Sequence, residues 1–239
     1  MITHLNEMAI QRIYNNYDWV NNISEQDANS MLNISLTKTP PDFPTIKTLI
    51  TNFPQLAENF NLTTLFNSEK NNKYIIKLLK LFIPNGADVN KKNERGQTAL
   101  FKAMGSSYDG SEKTVEYLLQ NNADATITDI YNNTPVLHML SLRILYVNIA
   151  FTEMMARLKL VLDYTGDICK NAKRSPTVVY LSELGKHGIY SFFKERCKKL
   201  FLFLKENDPM FLKYDVNAIV NTANALPVDA YFAYQELNS

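Results

Sequence analysis

Two cysteines and three histidines are the side chains of this chain best suited to covalent catalysis or metal binding. Cys169 precedes a basic segment, and nearby positive charge favours the thiolate that acts as a nucleophile. Cys197 follows His187 by ten residues (187 to 197) and also lies among basic residues. Because neither cysteine lies in a known nucleophile motif, we predict no catalytic residue. A cysteine-based enzyme with its cleft in residues 171–239 stays open as an alternative.

The same residues do not fit a metal or cofactor site. His4, His138 and His187 have no other His or Cys three or four residues away, and the two cysteines form no C-x-x-C pair. A structural zinc site needs about four such ligands. The 7 glycines form neither of the nucleotide-binding patterns G-x-x-x-x-G-K-[ST] and G-x-G-x-x-G. We therefore predict that the chain binds no metal and no cofactor.

The composition is that of an ordinary soluble protein, with 46% hydrophobic and 21% charged residues. A formal net charge of +1 gives no general attraction to nucleic acid. The longest apolar stretch, Leu140 to Leu162, contains four charged residues and so predicts no membrane span. Residues 1–25 contain no continuous apolar core of a signal peptide. We expect a cytoplasmic protein.

The elements that would position any site follow from a repeated phrase. Three copies occur, at Thr63–Ser68, Thr98–Ala103 and Thr134–Met139. Their first residues are 35 and 36 positions apart (63, 98 and 134). A companion phrase follows each copy, at Asn85–Asn90, Asn121–Ala125 and Tyr164–Ile168. Self-similarity at such a period predicts stacked structural repeats.

Each repeat has the signals of two helices followed by a loop. The Thr that opens the phrase can cap a first helix. A three-residue apolar block then ends a second helix, at Leu81–Ile83, Tyr117–Leu119 and Leu160–Leu162. The residues after the blocks include Gly86, Asn122 and Gly166, which tolerate the left-handed backbone that ends helices. Ser175 opens a degenerate fourth copy, whose second helix is predicted over Ser191–Lys205.

These phrases resemble the Thr-Pro-Leu-His-x-Ala signature of the ankyrin repeat family. The resemblance implies an all-α, ankyrin-repeat solenoid of about four to five irregular repeats with atypical helical caps at both ends. It implies N-terminal helices and an atypical first repeat in residues 1–60, ankyrin repeats in 61–208 with the last one degenerate, and a C-terminal capping helix and tail in 209–239. The helices predicted outside the clear repeats are Asn6–Trp19, Asp27–Leu36, Thr45–Ile50 and Val216–Leu226.

Ankyrin repeats bind through their loop tips and first helices, so the resemblance implies a set of partner-binding residues at those positions. The candidates are Lys91, Lys92, Glu94, Arg95, Lys102, Ile127, Asp129, Ile130, Tyr131, His138, Lys170, Lys173 and Arg174. Ile130 and Tyr131 stand out, because aromatic and aliphatic residues together are typical interface anchors. Two alternatives stay open: Ile130 folds back onto Val136 or Ala99, or it contacts a partner.

Two further features each allow two interpretations. His138 is either an exposed helix residue or a contact residue. The surplus residues of the third repeat, Ser141–Glu153, form either a second binding surface or a longer buried helix, since insertions in one repeat often map to the binding face.

The function that follows is a protein–protein interaction module without catalysis. The irregular repeats are similar to ankyrin-type effectors of intracellular bacteria, with poxvirus host-range ankyrin proteins as the runner-up. This resemblance implies an effector or adaptor that is secreted into the cytosol of a host cell and binds a host protein there as a monomer. The low net charge already predicts no nucleic acid partner. A self-associating structural protein is the remaining alternative.

Overall fold

The computed structural model describes residues 23–67, 69–106, 108, 110–141, 151–187, 194–211 and 234–235. These residues form helices, 3₁₀ turns and loops, without a strand among them. The chain divides into two compact units, Met1–Asp88 (unit 1) and Val89–Ser239 (unit 2). The predicted helices Asn6–Trp19 and Val216–Leu226, and most of the Ser141–Glu153 insertion, lie outside the described residues.

Unit 1 contains four described α-helices. They are α1 (Glu25–Thr37), α2 (Phe43–Asn52), α3 (Pro54–Glu58) and α4 (Ile75–Phe82). Helix α1 begins where the Ser24 side chain accepts a hydrogen bond from the Asp27 N–H at 3.1 Å. Helix α2 begins where Asp42 accepts one from the Thr45 N–H at 3.3 Å. Both starts follow from side-chain caps that satisfy free N–H groups of the first turn. Helices α1 and α2 confirm the two helices predicted there.

The first copy of the repeat phrase folds differently from the later ones. Residues Leu62–Phe66 form a 3₁₀ turn, and the cap is Asn61, whose side chain accepts hydrogen bonds from the Thr63 N–H at 3.0 Å and hydroxyl at 2.8 Å. Thr63 is therefore held by the cap instead of acting as one. The first helix of this copy is shortened to a tight turn.

Unit 2 contains six described α-helices in three consecutive pairs. They are α5 (Ala99–Met104), α6 (Ser111–Gln120), α7 (Pro135–Ser141), α8 (Phe151–Thr165), α9 (Pro176–His187) and α10 (Lys194–Glu206). Helix α7 packs against α5 and α9, and α8 packs against α6 and α10. The first helices of the pairs thus form one layer and the second helices another. Each pair buries its apolar side on its neighbours, as in a repeat protein.

The apolar blocks and the helix ends lie as the sequence predicts. The central residue of each block is buried, with Phe82 and Leu118 at 0% and Val161 at 1% exposure. The backbone turns left-handed directly after these helices, with φ of 99° at Gly86 and 65° at Asn122. The central residue of each block therefore belongs to the core, and the residues after the blocks end the helices.

The residues that open the later phrases cap their helices in two of three cases. The Thr134 hydroxyl accepts from the Leu137 N–H at 3.3 Å, and the Ser175 hydroxyl accepts from the Val178 N–H at 3.1 Å. Thr98 occupies the same position without a side-chain cap, and its buried hydroxyl has no hydrogen-bond partner within the described residues. The predicted capping role is confirmed at Thr134 and Ser175 only.

A buried arginine fixes the turn between α5 and α6. Arg157, on α8, is 0% exposed, and its guanidinium donates to the Met104 carbonyl at 2.7 Å and to the Ser111 hydroxyl. It also pairs with Glu153 at 3.2 Å. Burial lowers the pKa of Arg157, while the charge of Glu153 acts in the opposite direction. Arg157 thus connects the end of α5 and the start of α6 to α8 of the following repeat.

A buried carboxylate has the equivalent role at the start of α9. Asp208 is 1% exposed, and one of its oxygens accepts from the Ser175 hydroxyl at 2.5 Å and the Thr177 N–H at 2.9 Å. Its other oxygen accepts from the Phe211 N–H at 3.2 Å. The segment after α10 is thereby tied to the first turn of α9.

Candidate functional site

Two loops of unit 2, loop A (residues 89–97) and loop B (residues 125–133), contain most of the predicted contact residues and share one hairpin geometry. In loop B the Asp129 N–H donates to the Asn133 carbonyl at 3.0 Å. The Asp129 side chain accepts from the N–H groups of Tyr131 and Asn133, both at 2.9 Å. Asp129 is only 6% exposed, so this candidate shapes the hairpin and holds Ile130 and Tyr131 at its tip.

Loop A repeats this arrangement with asparagine in place of aspartate. The Asn93 N–H donates to the Gln97 carbonyl at 2.9 Å, and the Asn93 side chain accepts from the N–H groups of Arg95 at 2.9 Å and Gln97 at 3.0 Å. Glu94 and Arg95 occupy the exposed tip. A short polar side chain that binds two N–H groups further along is a common means of closing a tight turn.

The two loops are hydrogen-bonded to each other. The Ile130 N–H donates to the Arg95 carbonyl at 3.1 Å, and the Asn90 side chain donates to the Asn122 carbonyl at 3.0 Å. Gly96, with a φ of 73°, lies so close to loop B that an added Cβ would be 3.2 Å from the Asp129 Cα. The loops therefore form one connected surface.

The tip of loop B exposes two large apolar side chains. Ile130 is 59% and Tyr131 is 71% exposed. The alternative that Ile130 folds back onto Val136 or Ala99 is therefore wrong. Val136 and Ala99, both 1% exposed, are already packed among the helices, and the Asp129 hydrogen bonds direct the tip outward.

Lys102 and His138 lie on adjacent first helices, α5 and α7. The His138 ring is 5.6 Å from the Phe101 ring, centroid to centroid, so His138 is half-buried rather than a freely exposed helix residue. Burial lowers the pKa of His138, the charge of Lys102 lowers it further, and Asp129 opposes both. Burial and then the charge of Arg95 lower the pKa of Lys102. The charges of Arg95 and Lys102 are therefore close enough to repel each other.

The third loop, residues 167–174, is joined to loop B. Arg174 donates to the Asn133 side chain at 2.5 Å, and Asn171 donates to the Thr126 carbonyl at 3.5 Å. Lys170 and Lys173 are exposed on this loop. Loop A and the third loop thus present basic residues, and both loops are hydrogen-bonded to loop B.

The remaining candidates also lie on the loops. Lys92 is exposed, with its ammonium 3.5 Å from the Thr128 carbonyl, while Lys91 and Ile127 are half-buried. Among the thirteen candidates, seven are basic (Lys91, Lys92, Arg95, Lys102, Lys170, Lys173 and Arg174) and Glu94 is the one exposed acid. The candidate surface is therefore positively charged around an apolar tip, although the whole chain has a net charge of only +1.

The cysteines lie in surroundings that keep them protonated. Cys169 is 7% exposed, and its sulfur is 3.3 Å from an Asp208 carboxylate oxygen. Burial raises the pKa of Cys169, and the negative charge of Asp208 raises it further. Cys197 is 0% exposed, and burial raises its pKa despite a hydrogen bond with Tyr180. The sequence suggested that the basic residues after Cys169 favour its thiolate. In the structure the pKa of Cys169 is raised instead, because burial and Asp208 favour the protonated thiol. The side chain of His187 lies outside the described part of the structure.

Within the described ranges, no group of three or more His, Cys, Asp and Glu residues is placed to hold a metal ion. In that same part of the chain, no helix combines the length and apolar character needed to cross a membrane.

Unit 1 contains a groove that the sequence analysis did not identify. Its volume is about 860 Å³, and it lies between α1 and the segment from α3 to the 3₁₀ turn Leu62–Phe66. Many of the side chains that line it are amides: Gln26, Asn29, Asn33, Gln55, Asn59, Asn61 and Asn67. The signal in the sequence was the spacing of Asn29 and Asn33, one helical turn apart on an exposed face.

Comparison with known proteins supports the resemblance over part of the chain. Residues 38–129 match the family model for ankyrin repeats (3 copies). No curated protein and no solved structure gives a significant match. The later copies that begin at Thr134 and Ser175 lie beyond the matched range, yet they form the same paired helices. The fold class is therefore all-α with ankyrin repeats, as predicted, and this is a fold associated with protein binding.

Proposed function

We propose that the chain is a non-catalytic protein-recognition module whose partner contacts loop A, loop B and the first helices of unit 2. The exposure of Ile130 and Tyr131 at the tip of a hydrogen-bonded hairpin is the observation that supports this most directly. Large apolar side chains on a rigid support lose little conformational entropy on binding, which is the property of interface anchors. The buried, protonated cysteines speak against a thiol-based enzyme.

The surroundings of the tip suggest the chemistry of the partner. Besides burial, the charge of Arg95 lowers the pKa of Lys102, and the charge of Lys102 lowers the pKa of His138. Within the described residues, neither Arg95 nor Lys102 forms a salt bridge. A partner surface with acidic residues around an apolar cleft would relieve this repulsion and bury the tip. Such a complex forms faster at low salt, because exposed charges steer association.

The source and setting of the partner are a finer part of this proposal. The resemblance to ankyrin-type effectors favours a protein of a host cell, with this chain acting as a monomeric adaptor in the cytosol. Ankyrin-type poxvirus host-range proteins are the second family of comparison.

The test is affinity capture from a host-cell lysate with the wild-type chain and an Ile130→Asp, Tyr131→Ala variant. We expect the variant to lose the captured protein, because the substitutions remove the apolar anchors and place a negative charge opposite an acidic partner. Leu202→Asp is the matched control, since Leu202 is 40% exposed on α10 and belongs to none of the three candidate loops.

Equal recovery of the same partner by the wild type and the loop B variant would contradict the proposed surface. Loss of the partner with Leu202→Asp as well would show that the effect is not specific to loop B. Light scattering of the isolated chain at several concentrations tests the alternative of self-association. A self-associating chain would show a mass that rises with concentration, whereas a monomer would not.

A further inference from the structure

The groove of unit 1 contains hydrogen-bonding groups that have no partner within the described residues. Five of its amide side chains make no hydrogen bond in that part of the chain: Gln26, Asn29, Asn33, Gln55 and Asn67. Three of them project from α1 and are exposed, at positions 26, 29 and 33. Each amide offers two N–H donors and a carbonyl acceptor. The walls of the groove are thus lined with both donors and acceptors.

The floor of the groove is apolar and already rigid. Leu56 and Leu65 are 6% exposed and Leu78 is 1% exposed. Phe60, which also lines the groove, stacks on Phe82 with ring centroids 4.2 Å apart. A bound molecule would therefore meet fixed apolar side chains below and amide groups at the sides.

The charge of the groove narrows the choice of ligand. Among its described lining residues, Glu25 is the one with a charge. A phosphate, a nucleic acid or an acidic motif would need cations that these residues do not supply. The expected ligand is neutral where it contacts the walls, and it carries both hydrogen-bond donors and acceptors.

An extended peptide main chain has this chemistry. It presents one N–H and one carbonyl per residue, and both must find partners when they leave water. A helix has no free main-chain groups along its length, so it would leave the amides unused. Asn29 and Asn33 are separated by about 6 Å along the axis of α1, close to the two-residue period of about 6.6 Å in an extended chain. Successive amides on α1 can therefore meet successive main-chain groups on one side of such a peptide.

We propose that the groove of unit 1 binds an extended peptide segment through its main chain, with apolar side chains of the peptide seated on Leu56, Phe60 and Leu65. Main-chain hydrogen bonds then provide affinity, and the apolar floor selects alternate side chains. This site goes beyond the proposed function, because it lies in unit 1 and does not depend on the loops of unit 2. Loss of binding at one site need not affect the other.

The test begins with selection of phage-displayed 12-residue random peptides on the full chain. An Asn29→Ala, Asn33→Ala variant should bind the selected peptides about tenfold more weakly, as expected for the loss of two or more hydrogen bonds. Alanine is the better helix former, so the variant should fold. Ser30→Ala is the control, because Ser30 is exposed on α1 but does not line the groove. Circular dichroism checks that all forms retain their helices.

Backbone methylation tests the mode of binding. Synthetic versions of a selected peptide, each with one N-methyl amide, should lose about tenfold in affinity at alternate positions, since methylation removes a single donor. Replacing single residues of the peptide by alanine should weaken binding most at the apolar positions between the amides that are sensitive to methylation. Equal binding by all methylated forms, or apolar anchors spaced three and four residues apart, would overturn the proposal in favour of a helical ligand.

Two other results would also overturn it. Failure of the selection to enrich peptides that discriminate between the wild type and the Asn29→Ala, Asn33→Ala variant would show that the amides do not form a peptide site. Displacement of the selected peptides by a synthetic peptide of residues 1–22 would assign the groove to the beginning of the chain itself. Partner capture through loop B should be the same for the wild type and the Asn29→Ala, Asn33→Ala variant in each case.

Discussion

Arg157 and Asp208 show that single charged residues stabilise turns inside this fold. The Arg157 guanidinium satisfies the Met104 carbonyl at the end of α5, a group that the helix itself leaves without a partner. Asp208 satisfies the Thr177 N–H at the start of α9. Arg157 links two adjacent repeats of unit 2, whereas Asp208 joins the end of α10 to the start of α9 within one repeat. Removing either one leaves buried polar groups unpaired, which costs more than the net gain from an average hydrogen bond.

Arg157→Ala should lower the free energy of unfolding by about 3–5 kcal/mol, the range for breaking a buried ionic network. The substitution leaves the Met104 carbonyl and Ser111 hydroxyl buried and also creates a cavity. Urea unfolding followed by circular dichroism measures the change. Glu153→Gln is the control and should cost less than about 1 kcal/mol, because the Glu153 side chain is 33% exposed. Similar losses for both variants would show that Arg157 acts only as the partner of Glu153.

At the scale of elements, the close approach of loops A and B depends on a residue without a side chain. Gly96 has a φ of 73°, and a Cβ there would lie 3.2 Å from the Ile130 nitrogen. Gly110 has a φ of 81° with nothing within 4 Å of an added Cβ. The two glycines therefore have similar backbone conformations but different surroundings.

Gly96→Ala should destabilise the chain more than Gly110→Ala. Both substitutions incur the left-handed backbone cost of about 1–2 kcal/mol, but only the first also forces loops A and B apart. Urea unfolding gives the loss in the free energy of unfolding for each variant. The difference between the two losses is the contribution of the contact between loops A and B. Partner capture through Ile130 should weaken with Gly96→Ala alone. Equal losses of stability would mean that the loops can separate freely.

The features that the sequence predicted are those with local causes. The helix ends at Gly86 and Asn122 and the buried central residues of the apolar blocks each depend on residues within a few positions. The sequence left the direction of Ile130 open, and its exposure settles it. The role of Arg157 depends on Met104 and Ser111, which are 53 and 46 residues away. Arginine is rarely buried unless it is paired, and no residue near Arg157 in the sequence indicates that it is buried. Only the stacked repeats bring these groups together, so their pairing could not be predicted from spacing.

The same distinction holds for the two candidate sites. The loop surface follows from tip positions within each repeat, and the structure then adds that Asp129 is a buried support. The groove of unit 1 requires α1 to lie beside residues 55–67, which is a tertiary arrangement. By themselves, the exposed amides of α1 are typical of an ordinary helix face in contact with solvent.

At the scale of the whole molecule, buried phenol and thiol groups set the response of stability to alkaline pH. Burial raises the pKa of Tyr108 to about 12, and it also raises the pKa values of Cys169 and Tyr180. At a pH between the unfolded and the folded pKa of each group, the folded chain therefore still holds a proton that the unfolded chain has released. The unfolded state then binds fewer protons than the folded state, so stability falls as pH rises.

The free energy of unfolding should therefore be level near pH 7–8 and should decline as the pH rises through 9, where the unfolded thiols begin to ionise, toward 11. Between pH 10 and about 12, Tyr108 alone contributes a slope of up to about 1.4 kcal/mol per pH unit. Tyr108→Phe removes this ionisation, together with the 3.1 Å hydrogen bond to Thr114. The variant should be less stable than the wild type at pH 7 but have a shallower decline above pH 10. Urea unfolding at pH 7, 9, 10 and 11 measures both curves. Parallel curves would mean that Tyr108 ionises as readily in the folded chain as in the unfolded one, and that the turn before α6 opens to water without global unfolding.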